Sequence, residues 1–146
     1  MASEANIRIS LGVRSGNVQY QNARTAFRAD MGTPKGPTPG VVTCSTNGTD
    51  IDLSQLVEPG LCLLENLDDT NFVEVGIYDP NGGPGDEGLF VPMIELLPGE
   101  LYVVRLTRNL GEAYPSGSPG TDAPTRRLRV KANTSPCDVG VYAFER

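Results

Sequence analysis

Apolar and polar residues alternate along most of this chain with a period of two, the pattern of strands that cover one face. In residues 6–13, Ile7, Ile9, Leu11 and Val13 fall on one side and Arg8, Ser10 and Gly12 on the other. Ser15-Gly16-Asn17 marks a turn, and residues 18–21 pair back as a second strand. Residues 23–31 contain Ala and Arg, which favour helix, but Thr25, Phe27 and Ala29 alternate and no N-cap leads a helical stripe, so the segment reads as strand. After the Gly/Pro-rich loop 32–40, residues 41–46 form a strand, and residues 50–56 a short strand or a single helical turn.

The densest apolar material lies in residues 57–106. Leu61-Cys62-Leu63-Leu64 is a continuous run, the mark of a strand covered on both faces. Val73, Val75 and Ile77 share one face of the next strand. The turn 79–88 leads to a strand over 89–97, and Pro98-Gly99, suited to a type II turn, leads to another over 101–106. A long loop over 107–126 follows, then strands over 128–132 and 139–144. The expectation is an all-β fold: one antiparallel β-sandwich of jelly-roll kind spanning 1–146, with residues 1–5 as a flexible tail. Val73, Val75, Ile77, Val103, Val130, Val139 and Val141 are its predicted core.

Composition narrows the chemistry. At 146 residues the chain is long enough to bury a real core. Its N-terminus lacks the charged and apolar regions of a signal peptide, and no apolar segment is long enough for a membrane helix, so a soluble protein without a membrane partner is expected. Histidine is absent, which removes His-based triads and imidazole ligands. Nucleotide-binding and nucleophile-elbow motifs are missing, and Ser116-Gly117-Ser118 has no base partner. Glu74, Glu95 and Glu100 are the remaining carboxylates for a dyad, but the expectation is no enzyme and no cofactor. Asp79, Asn81, Asp86 and Glu87 supply oxygen ligands in a Gly-rich loop, a weak calcium pattern without EF-hand spacing; a solvated hairpin tip is the simpler reading. Cys44, Cys62 and Cys137 are read as buried reduced thiols, with a pair such as Cys62–Cys137 as the alternative.

Charge is unevenly spread. Residues 41–100 hold twelve acids and no Lys or Arg, whereas the ends are net basic. This disfavours nucleic acid and leaves two readings, complementary patches between subunits or strands that interleave the charges in space. Arg127, Arg129 and Lys131 share the outer face of one strand and are interface candidates.

Three segments carry a resemblance: PGLCLLENLDDTNFVEVGIYD, FVPMIELLPGELYVVRL and VKANTSPCDVGVYAFER. Together they are similar to small structural virion proteins of tailed bacteriophages, over roughly residues 40–146. The resemblance implies a capsid decoration or cement protein, made in the host cytoplasm and residing in the virion. Its implied partners are the major capsid protein and copies of itself, as trimer or dimer. A tail, neck or fibre subunit is the alternative, and a carbohydrate-binding β-sandwich module a second one. No catalytic residues follow from it.

Overall fold

The computed structural model describes residues 3–31, 35–80, 88–107 and 127–146. Ten strands run in chain order through these residues: β1 (Ser3–Ser15), β2 (Val18–Met31), β3 (Thr38–Cys44), β4 (Thr49–Asp50), β5 (Pro59–Asn66), β6 (Val73–Asp79), β7 (Leu89–Leu96), β8 (Leu101–Arg105), β9 (Arg127–Ala132) and β10 (Cys137–Glu145). All pairings are antiparallel. One four-stranded sheet has the order β3-β10-β5-β8 and the other β4-β9-β6-β7, while β1 and β2 form a hairpin sheet of their own. The protein is therefore an all-β, antiparallel fold of a generic sandwich-like kind, with a separate two-stranded ribbon. Among the described residues no helix is long and apolar enough to cross a membrane.

The alternation that defines the strands also builds the core. Cys62 and Leu64 of β5, with Val139, Val141 and Ala143 of β10, meet Val73 and Val75 of β6, Leu96 of β7 and Val130 and Ala132 of β9 in one apolar cluster. Burying each of these valines and leucines contributes about 1.5–3 kcal/mol before the entropy of ordering is subtracted. Five of the seven predicted core residues lie here. The other two are corrections. Ile77 is only half-buried, because it borders a cavity that Leu64, Val104, Leu106 and Leu128 also line. Val103 points to the opposite face of its sheet, where it packs with Leu61 and Ile7. Within the expected tail over 1–5, β1 already pairs Ser3 with Met31, and residues 1–2 lie outside the described residues.

Three of the four edges of the two larger sheets carry their own protection, β8 being the fourth. β4 has two residues, and the edge strands β3 and β7 contain Pro39 and Pro92, which cannot donate to an added strand. In β7, Met93 is the extra residue of a bulge, since Val75 pairs with Ile94 and Gly76 with Pro92. The backbone approaches so closely there that a Cβ on Gly76 would lie 2.1 Å from the Val91 carbonyl oxygen, so only glycine fits. The predicted Pro98-Gly99 turn is present: Gly99 has φ of 72° and the Glu100 amide donates to the Leu97 carbonyl at 3.0 Å.

A polar knot closes one end of the sandwich. Asn66, 1% exposed, donates from Nδ2 to the carbonyls of Asn71 (2.8 Å) and Leu96 (3.1 Å), and its Oδ1 accepts from the Asp68 amide (3.0 Å). Asp68 in turn accepts from the amides of Thr70 (2.8 Å) and Asn71 (2.5 Å). Asn71 reaches the β9–β10 turn, donating to Ser135 Oγ and accepting from Thr134 Oγ1. Three connections, β5–β6, β7–β8 and β9–β10, are thus held by one residue cluster.

Two predictions follow from this cluster. Asn66→Ala strands two carbonyls and an amide in a dry site, so urea unfolding should show a loss of about 3 kcal/mol or more, whereas Leu67→Ala, on an exposed neighbour, should stay within about 1 kcal/mol. The amide hydrogen bonds from Asn71 and Thr70 hold the Asp68 carboxyl below its ordinary value. A depressed carboxyl stabilises the fold above its unfolded pKa of 3.8, and that contribution disappears as pH falls through the lower folded value. Thermal melts between pH 6 and about 2 should therefore show a steeper acid loss for wild type than for Asp68→Asn.

Candidate functional surface

Period-two alternation gives the β1–β2 hairpin two distinct faces. The register pairs Leu11 with Asn22, Val13 with Tyr20 and Ser15 with Val18, so Leu11, Val13, Tyr20 and Val18 stand on the same side. They are 55%, 40%, 52% and 60% exposed. The opposite face carries Arg8, Ser10, Arg14, Gln19 and Gln21, all exposed. Ile7, on the apolar side of β1, is buried against Leu61 and Val103 on the outer face of the β3-β10-β5-β8 sheet. A bulge on β2 between the partners of Ile7 and Ile9 separates this seated base from the outer arm. The ribbon is therefore fastened to the body at one end by apolar packing and presents more of the same chemistry to solvent beyond it. Sequence periodicity found the strands and gave residues 6–13 one covered face, yet Leu11 and Val13 on that face are exposed. Periodicity says that a face is apolar, not what covers it.

The predicted interface bases sit elsewhere, on the outer face of the other sheet. Arg127 donates from Nη1 to Asp50 Oδ2 at 2.8 Å and Arg129 from Nε to Asp50 Oδ1 at 2.5 Å. Burial alone would raise the Asp50 carboxyl, but the hydrogen bonds from Arg129 and then Arg127 outweigh it and hold it below its ordinary value. The Arg129 guanidinium also lies 3.3 Å from the centroid of the Tyr78 ring. Both arginines thus have partners within the chain. The acid expected on a neighbour is supplied here by β4, because β4 and β9 are adjacent and pair Asp50 with Arg129. Of the two charge readings, interleaving holds at this site. Lys131 lies across from Glu74 in the β6–β9 register.

Asp79 ends β6, and Asn81, Asp86 and Glu87 lie outside the described residues. Among the described residues no group of three or more acidic or thiol side chains is close enough to hold a metal ion. Glu74 and Glu95 are cross-strand partners on β6 and β7, while Glu100 accepts from the Leu97 amide in the β7–β8 turn. Of the tyrosines, Tyr20 is on the hairpin, Tyr78 under Arg129, Tyr102 on β8 and Tyr142 on β10; they occupy four separate strands. Tyr114, Ser116 and Ser118 lie outside the described residues. Cys137 pairs in register with Cys44, not Cys62, and the two sulfurs are 3.5 Å apart.

The three segments behind the virion resemblance have a structural explanation. The first spans β5, the Asn66–Asp68–Asn71 knot and β6; the second is β7, its turn and β8; the third is β9 and β10 with the turn that Asn71 holds. All three segments therefore fall on strands of the sandwich and the turns that join them. No family model, curated protein or solved structure matches this chain. The descriptors virion, capsid, decoration or cement protein, bacteriophage and oligomer are accordingly withdrawn, since no known protein lends them support.

Proposed function

We propose that this chain is a non-catalytic structural module that docks onto a larger protein assembly through the apolar face of its β1–β2 hairpin. The observation that carries this reading is the exposed row Leu11, Val13, Val18 and Tyr20, continuous in alternation with the buried Ile7. An isolated two-stranded ribbon is marginal in water, and contiguous apolar patches rimmed by polar groups mark interaction sites. Three of the four sandwich edges, β3, β4 and β7, are protected against strand addition, and the hairpin row offers an apolar face for packing. A structural role also suits a chain with no histidine. A sugar-binding role is less favoured, because stacking platforms need grouped aromatic side chains.

With β3 to β10 taken in sequence, the chain alternates between the two sheets except at the β6–β7 hairpin. This order is what two nested Greek keys generate, and it supports a jelly roll. Jelly rolls host unrelated functions, so the hairpin and not the sandwich supports the proposed role.

The test is sedimentation of extracts from producing cells. Wild-type protein should co-migrate with fast-sedimenting material, and Leu11→Glu/Val18→Glu should lower that fraction roughly tenfold or more, as expected for lost interface anchors. The polar-face control Gln19→Glu should leave it unchanged, and all three proteins should melt at the same temperature. Equal migration of wild type and the double variant would refute hairpin docking.

A further inference from the structure

We infer that Cys44 and Cys137 form a redox modification site, a latent disulfide that joins the edge strand β3 to β10 when a small-molecule disulfide is the oxidant. The geometry is specific. The two residues are direct register partners across an antiparallel pair, with sulfurs 3.5 Å apart. Opposed residues in such a pair have Cα atoms about 4.5–5.5 Å apart, inside the range that a disulfide spans. Cys62 provides the contrast: its register partners are Ala143 and Val104, and its sulfur donates to the Leu63 carbonyl. One of three cysteines is thus left unpaired by position.

The chemistry balances as thiol–disulfide exchange. A thiolate of the pair attacks one sulfur of the small disulfide, forming a protein mixed disulfide and releasing one small thiolate. The second cysteine, deprotonated, attacks the protein sulfur of that bond, and the other small thiolate leaves. Two electrons pass from the cysteines to the small disulfide, and the two protein protons end on the two released thiolates. Both cysteines are buried, and burial, with Cys44 beside it, pushes the Cys137 thiol up to about 12. Attack therefore requires opening. β3 is a sheet edge with a neighbour on one side only, so it is placed to open before the central strands do. The expected behaviour is slow cross-linking of the folded protein and fast cross-linking during refolding.

The site differs from the hairpin, so its test is independent of the docking proposal. The full chain is incubated with oxidised glutathione, folded in one arm and refolding from urea in the other, then digested and mapped by mass spectrometry. The expected product is a Cys44–Cys137 peptide, about 2 Da below the reduced pair, with Cys62 still open to alkylation after unfolding. The Cys62→Ser variant should retain the cross-link and Cys44→Ser should lose it. The cross-linked protein should melt roughly 5–15 °C above the reduced form, because the bond closes a long loop. Absence of the linked peptide in both arms, or a link through Cys62 instead, overturns the assignment. So does a cross-linked form that melts below the reduced one.

Discussion

The Asn66 side chain is the constraint on which the sandwich depends. Apolar cores tolerate rearrangement, because many packings bury similar area. A buried amide does not, since each of its bonds fixes a direction as well as a distance. Asn66 ends a strand of one sheet, yet it bonds to the Leu96 carbonyl at the end of β7 in the other. Its own backbone amide donates to the Glu100 carbonyl, which places the start of β8 beside it. Two sheets that could otherwise slide are thereby held in one relative position. The valines that fill the space between them then have a single arrangement in which they fit.

The strands were legible in the sequence because alternation is a local property. So was the Pro98-Gly99 turn, whereas the segment 50–56, expected as a short strand or a helical turn, keeps only Asp50 in β4 and turns at Leu53–Leu56. Strand order was not legible. Nothing in residues 127–132 says that β9 lies between β4 and β6, and so nothing said that Asp50 would hold both Arg127 and Arg129. The same gap explains the cysteines: pairing in register is long-range, and only the sheet order brings Cys137 to Cys44. Val103 failed as a core prediction because the core side of β8 is the one that carries Val104, and Ile77 because alternation assigns a side of a strand without saying how tightly the opposing layer packs there.

The hairpin shows this limit most clearly. Residues 6–13 have as clean a pattern as any strand of the core. In the sandwich that pattern is answered by a second sheet. In the hairpin it is answered at Ile7, by Leu61 and Val103, while Leu11 and Val13 stand exposed. Local sequence encodes a demand for cover, and the architecture decides whether the cover comes from the same chain.

Because, among the described residues, the arm's two strands pair only with each other, its length is decoupled from the sandwich. Adding two residues to each strand would lengthen it by about 7 Å and keep Leu11, Val13 and Tyr20 on a common side with Ile7. Adding one would rotate every outer residue to the other side and exchange an apolar face for an arginine-bearing one. Reach can thus vary among descendants of this sequence in even steps, while the body that anchors the arm stays as it is.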